Sequence, residues 1–370
     1  MPISGIKCVD FILSAVGEGV VNHNGSYAVY NPAAGTTVKN HMFPKLRGID
    51  PMQRIAKNGE DGKSMSISLS DEAFSKAKLI VSAECIRSQL FRDVSFGLYK
   101  VNVGNVSDVL ASLHGLVRGY LITEGGRNFA RKSSLYVTDF ECAQPELSFN
   151  QGTNSKARGT VDEKTSLYSY FKTGRDLAYT AKASLSVEDL QFIPLENSLG
   201  RSAFDFQVTV QTGVELAAKI TRFLTDIAEE NQTPEAKFVK KAVRCGAVSQ
   251  VGDAGILLND DAIRVITAQV EQLLRNLYIR QGKGYLQVTS VLVDYNTGGR
   301  VFRAEADPGI ANAQPTTEFA KYYTAHDMTD VEFAKLQEDN KKRAAEISAA
   351  KKSAKSAPKK AAAPADTEAA

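Results

Sequence analysis

The sequence predicts an α+β fold with a ferredoxin-like succession of elements, and three observations carry that expectation. A strand pattern occupies residues 5–16. The clearest helical periodicity of the chain lies at 259–277, and a strand with both faces partly apolar follows at 285–295. With the segments between, the order reads strand, helix, strand, strand, helix, strand, interrupted by a long insertion after the first strand and another after the third. Such a fold does not by itself state a function.

Each element has a local reason. In GIKCVDFILSAV, 5–16, Val9, Phe11, Leu13 and Ala15 alternate along one strand face. Residues 17–81 are rich in Gly, Asn, Pro, Lys and Ser, which suits loops and small hairpins. Ser82 suits the N-cap of a helix in which Ile86, Leu90 and Val94 recur every four positions, with Gly97 near its end. A second helix is expected over 107–118, begun by Ser107 and Asp108, striped by Val109, Leu110, Leu113, Leu116 and Val117, and stopped by Gly119. Strands are expected at 120–123 and 135–142.

Residues 143–258 read as a second excursion containing strand-like LQFIPL and AFDFQVTV and an amphipathic helix with Leu216, Ile220, Phe223 and Ile227. Asn259 then suits the N-cap of a helix whose Ile263, Ile266, Val270, Leu273 and Leu277 step by three and four. The predicted division is one domain over 1–328, its core in 5–16, 82–142 and 256–296, with insertions at 17–81 and 143–255. After it, Thr329 and Glu332 form a capping box for a polar helix. The final KKSAKSAPKKAAAPADTEAA lacks the apolar area to order itself, so 329–370 is a polar helix and a disordered tail. That tail is either a solvated segment or a source of transient lysine contacts to RNA.

Composition narrows the classes. With 370 residues and 43% apolar content the chain builds a substantial core. It has no run of about 18 apolar residues, and MPISGIKCVDF lacks the basic and apolar regions of a signal peptide, so a cytoplasmic, membrane-free protein is expected. Cys8, Cys85, Cys142 and Cys245 are far apart, which points to reduced thiols rather than a disulfide framework or a zinc site. No GxSxG, HExxH or GxxxxGK[ST] pattern occurs, and neither metal nor cofactor is expected. The net charge of +3 hides an asymmetry: from Lys341 onward eight Lys or Arg face three acids, so the tail carries +5 and the rest −2. Nucleic-acid binding by the folded part must rest on local clustering.

Three clusters stand out. In NLYIRQGKGYLQ, Arg280, Gln281 and Lys283 lie between a helix and a strand, with glycines flanking the lysine; this suits either close approach of a phosphodiester chain or a plain turn with solvated cations. In NHMFPKLRG, His41, Lys45 and Arg47 surround Pro44 and end in Gly48. In SAECIRSQLFRD, a capped helix start offers N–H groups to an anion, with Arg87 one turn along and Arg92 beyond. Acid–base alternatives are thinner. His23, His41 and Asp50 share a polar region without a defining spacing. Asp260 and Asp261 suit the first turn of a helix, and His114 reads as a structural histidine.

The collinear motifs GIKCVDFILSAVGEGVVNHNG, NHMFPKLRG, AECIRSQLFRD, VLASLHGLVRGY, GILLNDDA and IRQGKGYLQVTSVLVDYN resemble the Cascade backbone subunit of minimal type I-F variant CRISPR systems, of the seventh Cas superfamily. The resemblance spans most of 5–296. It implies an RNA-recognition-motif-like palm carrying a thumb at about 49–80 and fingers within 143–258. It further implies many copies aligned along one CRISPR RNA in a helical filament, other Cascade subunits as partners, and presentation of the guide to target DNA. Residue by residue, it implies RNA contacts at His41, Lys45, Arg47, Gly48, Arg87, Arg92, Arg280, Gln281 and Lys283, joined by Arg118 and Arg244. The Ala/Lys tail departs from the shared pattern. A non-catalytic subunit is the reading this supports, because a protein serving changing guides must grip phosphate and sugar and leave base edges free. Identical copies stacked head to tail also require heterologous surfaces. The alternatives are a metal-dependent ribonuclease using Asp50, and a stand-alone RNA-binding protein stacking bases on Tyr285 and Tyr295.

Overall fold

The computed structural model describes residues 3–24, 27–31, 36–40, 43–47, 77–95, 101–124, 127–154, 166–197, 201–204, 208–248, 251–281, 284–298, 300–339, 342 and 346. In chain order its main elements are β1 (Cys8–Glu18), β2 (Leu46–Arg47), β3 (Lys78–Val81), α1 (Ala83–Leu90), α2 (Val106–Leu110), β4 (Leu135–Val137) and β5 (Phe140–Cys142). There follow β6 (Leu177–Ser186), α3 (Val187–Gln191), β7 (Phe192–Pro194), α4 (Val210–Asp226), β8 (Ala236–Arg244), β9 (Gly252–Leu258), α5 (Asp260–Arg275), β10 (Tyr278–Gln281), β11 (Gly284–Asn296) and β12 (Tyr323–Ala325).

An eight-stranded antiparallel sheet runs in the order β10, β11, β1, β6, β5, β3, β2, with β4 also paired to β6. Alternation decides its faces. Val9, Phe11, Leu13 and Ala15 of β1 are buried, opposite Leu185, Ala183, Ala181 and Tyr179 of β6 on one side and Tyr295, Val293, Val291 and Val288 of β11 on the other. The alanines leave room for Phe11 and Leu13. α1 adds Ile86 and Leu90 to the same core, and α5 adds Ile263, Ile266 and Val270. Each fully buried Leu, Ile or Phe contributes about 1.5–3 kcal/mol, so this sheet–helix face outweighs the exposed ion pairs, at about 0–1 kcal/mol each. The register slips by one residue between Ser14 and Ala15, leaving Thr289 extra on β11, where its Oγ1 donates to the Ser14 carbonyl at 3.2 Å.

A second antiparallel sheet, ordered β7, β9, β8, β12, packs under α4. Asn259 caps α5 as expected, accepting from the Ala262 N–H at 2.8 Å, and Asp260 and Asp261 fall in its first turn. Thr329 and Glu332 form the expected capping box, with reciprocal bonds of 2.9 and 3.3 Å, at the head of the helix over 330–339. All four cysteines are unpaired.

Several expectations are corrected. The segment 143–258 is not wholly an excursion from the sheet: β6 lies inside it and pairs directly with β1, its Leu177, Tyr179, Ala181, Ala183 and Leu185 buried in strict alternation. Basic and aromatic residues just before it mask that period-two signal. The strand expected at 120–123 is outside the main sheet, in a hairpin of Tyr120–Glu124 with Arg127–Arg131. The strand expected over 135–142 breaks into β4 and β5, because Thr138 replaces a ladder bond with its side chain, its Oγ1 accepting from the Lys182 N–H at 2.9 Å. The first helix ends at Leu90 rather than near Gly97. The helix expected over 107–118 divides into α2 and a π-helical turn, His114–Arg118. There, Ser112 Oγ donates to the Val109 carbonyl and accepts from the Gly115 N–H, diverting the helical ladder. The end of AFDFQVTV contributes a cap, where Thr209 Oγ1 accepts from the Thr212 N–H at 3.1 Å and opens α4, and the middle of that segment, 205–207, lies outside the described residues. The proposed thumb over 49–80 lies largely outside the described residues, as does most of the tail.

On the sheet's other face two acids, Asp10 and Asp294, stand directly opposite each other and are buried. Asp10 accepts from Ser184 Oγ at 2.6 Å, from Asn296 Nδ2 at 2.8 Å and from the Phe302 N–H at 2.8 Å. Arg303 grips Asp294 with two bonds of 3.0 and 2.7 Å. This network fastens the segment after β11 across the sheet. Removing Arg303 leaves Asp294 buried and uncompensated, so Arg303→Ala is expected to destabilise the fold by about 3 kcal/mol in urea unfolding, against well under 1 kcal/mol for an exposed pair such as Lys321 with Glu318.

Candidate nucleic-acid interface

Helix α1 is the point at which the separated basic segments meet. Ser82 holds its N-cap with extended backbone, its Oγ accepting from the Cys85 N–H at 3.4 Å while its own N–H donates to Asn22 Oδ1 at 3.0 Å. The next N–H, of Ala83, donates to Asp139 Oδ1 at 2.8 Å. The expectation that this helix start is open to an external anion is therefore corrected: Asp139 supplies the negative charge the helix end favours. The other Asp139 oxygen accepts from Arg47 at 2.5 Å, and Arg47 also pairs with Glu141. A hydrogen bond from Lys78, with Arg47 nearby, holds the Glu141 carboxyl below the usual carboxylate range. Arg47 is thus exposed but doubly compensated. Lys45 is bound differently, its Nζ donating to Ser82 Oγ at 3.2 Å without an ion pair among the described residues, while its charge acts on Glu84.

One turn into α1 a cleft of about 530 Å³ opens, lined by Glu84, Arg87, Val101, His114, Arg118, Gly119, Tyr120 and Leu121. Arg118 ends the π-helical turn, and Gly119, at φ +73°, turns the chain away; a Cβ there would meet the Arg131 carbonyl at 2.2 Å. Burial, then repulsion from Arg87, lowers the Arg118 pKa. The Glu84 carboxyl is held low by a backbone N–H, then by Ser82, Lys45 and Arg87. These electrostatic couplings put Lys45, Glu84, Arg87 and Arg118 in one field. Among the described residues neither Arg87 nor Arg118 forms an ion pair, and two partly buried guanidiniums that share a single carboxylate, Glu84, are suited to an oxyanion with several acceptor oxygens.

His114 forms the wall rather than a third cation. It is buried, its Nδ1 shares a hydrogen bond with Ser95 Oγ, and burial together with Arg118 pushes its pKa down to about 4.

The third cluster reaches the same helix through Gln281, whose Nε2 lies 3.8 Å from Cys85 Sγ. Ile279 is buried, whereas Tyr278 and Arg280 point to the opposite, exposed side of β10. Arg280 makes no ion pair among the described residues. The Gly284 side of the lysine has a packing reason: a Cβ at Gly284 would lie 2.9 Å from backbone atoms of Glu18, Gly19 and Val20, so the end of β1 crosses it closely.

Lys45, Arg47, Arg87, Arg118 and Gln281 accordingly surround α1. Arg92 does not extend the cleft; it is exposed beyond the helix end and bonded to Gln89 and Asp93 at 3.3 Å. Arg244 belongs elsewhere, on β8 of the second sheet, bonded to Glu188 at 2.6 and 3.3 Å and lying over Tyr322 at 5.9 Å. His41, Gly48, Lys283 and Asp50 lie outside the described residues. Tyr285 and Tyr295 are on opposite faces of β11: Tyr295 packs against the core, near Glu271 and Arg264 of α5, and so cannot share a stacking surface with Tyr285. Sequence reading missed Glu84, His114 and Tyr120 as cleft walls, since only the π-helical turn and the hairpin after it bring them beside α1. It also missed Arg131, buried beneath a separate cleft of about 570 Å³, with bonds to the carbonyls of Asp189 and Phe192. Among the described residues no group of His, Cys, Asp and Glu is arranged to hold a metal ion, and no helix is long and apolar enough to cross a membrane.

The neutral His114 makes folding sensitive to acid. Unfolded, its ring takes a proton below about pH 6.5; folded, only below about 4. Stability contributed by the neutral ring is whole above about 6.5 and falls as the pH drops towards 4, by up to about 3 kcal/mol. Urea unfolding at pH 7 and pH 5 is expected to show this loss, and His114→Gln to flatten it.

Residues 5–326 match the family model described as Type I-Fv CRISPR-associated protein Cas7fv-like. No curated protein matches the sequence. Among solved structures, a chain in the cryo-EM structure of the Type III-B Cmr-beta bound to cognate target RNA is 8% identical, with TM-score 0.24 over 50% of this chain and 49% of that one. The present chain thus spans about half the length of that relative. The Thermofilum pendens Csc2 crystal structure is 7% identical, with TM-score 0.21 over 89% of this chain and 81% of the other.

Proposed function

The chain belongs to the Type I-Fv CRISPR-associated Cas7fv-like family, and from that membership we propose that it is the non-catalytic backbone subunit that grips guide RNA in a Cascade-type effector. Membership implies a CRISPR RNA-binding effector complex. The observation that carries the finer reading is the gathering of Lys45, Arg87, Arg118 and Gln281 around α1, with two guanidiniums and one carboxylate, Glu84, in the cleft and neither guanidinium in an ion pair among the described residues. Phosphate is the ligand common to every guide sequence, and a cleft that reads phosphate serves any spacer.

The palm is ferredoxin-like in this reading. Taking β1, α1, β5, β6, α5 and β11 as its six elements, the sheet order β11, β1, β6, β5 is the fourth, first, third and second strand of a split βαβ unit. Copies of the chain align head to tail along the RNA and present its base edges to target DNA, with other Cascade subunits at the ends. The work is binding, so assembled complex is expected to leave complementary RNA uncut in the presence of Mg²⁺.

Arg87→Ala with Arg118→Ala is expected to weaken guide binding by about 10-fold or more per arginine, equally for unrelated spacers. It should also reduce the slope of log affinity against log salt by about 0.7 for each phosphate that is no longer neutralised. Arg244→Ala is expected to leave RNA affinity unchanged, since Glu188 already holds that charge. Filter binding over a salt series with two unrelated guides checks all three, and unchanged binding by the double variant refutes the cleft assignment.

A further inference from the structure

The outer side of the β10–β11 hairpin carries a feature that the cleft beside α1 does not use. Tyr278 and Arg280 project from the same face of β10, and Arg280 stands directly opposite Tyr285 on β11. The rings of Tyr278 and Tyr285 lie 6.4 Å apart, inclined at 31°, and Tyr278 is 49% exposed although it is a large aromatic in a paired strand. Gln287, opposite Tyr278, is also exposed. A half-buried ring thus backs an open one, beside a guanidinium that forms no ion pair among the described residues. Cross-strand aromatic packing explains the contact between the rings. It leaves the outer surface of Tyr278 and the charge of Arg280 without a role.

We propose that this face is a stacking platform for an unpaired RNA base, with the Tyr278 ring as the platform, Tyr285 as its support and Arg280 holding the adjoining phosphate. The proposal rests on the RNA-binding reading above and adds a second mode of grip to it. Every base has a π-face, so stacking adds affinity without selecting sequence and leaves hydrogen-bonding edges unread. Gln281, next along β10, faces the other way onto Cys85 of α1, so one short strand touches both the cationic helix and the aromatic face.

The test uses the full chain assembled on guide RNAs with 2-aminopurine placed at successive positions; because the chain has no Trp, the probe alone reports. Quenching is expected at one or more positions. Tyr278→Ala should relieve it and weaken binding by about 5- to 150-fold, Tyr278→Phe should retain it, and Tyr285→Ala should have a smaller effect. On the RNA side, an abasic substitution at a quenched position should weaken binding of the wild-type protein by the same factor, a measurement independent of how any variant folds. Quenching unchanged in folded Tyr278→Ala, or wild-type binding indifferent to abasic sites at every position, overturns the platform while leaving phosphate binding intact. Failure of the wild-type chain to bind guide RNA at all overturns both.

Discussion

The first turn of α1 is the constraint on which the candidate site depends. Its N–H groups and that of its cap are satisfied by the cap residue Ser82 itself and by acceptors from two distant segments, Asn22 after β1 and Asp139 between β4 and β5. A helix end that leaves N–H groups unpaired in a partly buried position is costly, so these acceptors must be in place for the core beneath Ile86 and Leu90 to close. Asp139 passes the constraint outward by bonding Arg47, and Ser82 by receiving Lys45. One requirement of helix capping thereby fixes the position of a strand edge and of two cations.

Electrostatics then sorts the basic residues into two groups. Arg47, Arg92 and Arg244 are matched to carboxylates, and their charge is neutralised within the molecule. Arg87 and Arg118 are close enough to repel each other across a cleft whose acid, Glu84, is already shared with Lys45 and a backbone N–H. Two like charges held together by the fold are an unfavourable arrangement that a bound anion relieves, whereas a matched pair gains nothing from one. This physical difference, more than the count of arginines, distinguishes a site from a charged surface.

Much of the framework was legible in local pattern. The alternation of Val9, Phe11, Leu13 and Ala15, the Asn259 cap with its three-and-four spacing, and the Thr329–Glu332 capping box are short-range signals whose energetics lie within a few residues, and each stands in the structure. The alternation of Leu177 through Leu185 was equally regular, but a basic and aromatic neighbourhood obscured it. The break in the helix after Leu110 was not legible, because a π-helical turn depends on Ser112 competing for backbone groups.

The sequence by itself determined the core strand β1 and the core helix α5, the caps at Asn259 and Thr329, and where cations cluster, since all of these follow from side-chain chemistry at fixed spacing. Only the tertiary structure decided that β6 lies beside β1, that Asp139 closes the start of α1, that Arg87 meets Arg118 while Arg244 is bound to Glu188 on another sheet, and that Tyr285 and Tyr295 face apart. The reason is range: pairing of strands and neutralisation of charge join residues separated by tens to hundreds of positions, and no local spacing encodes which carboxylate a given arginine will find.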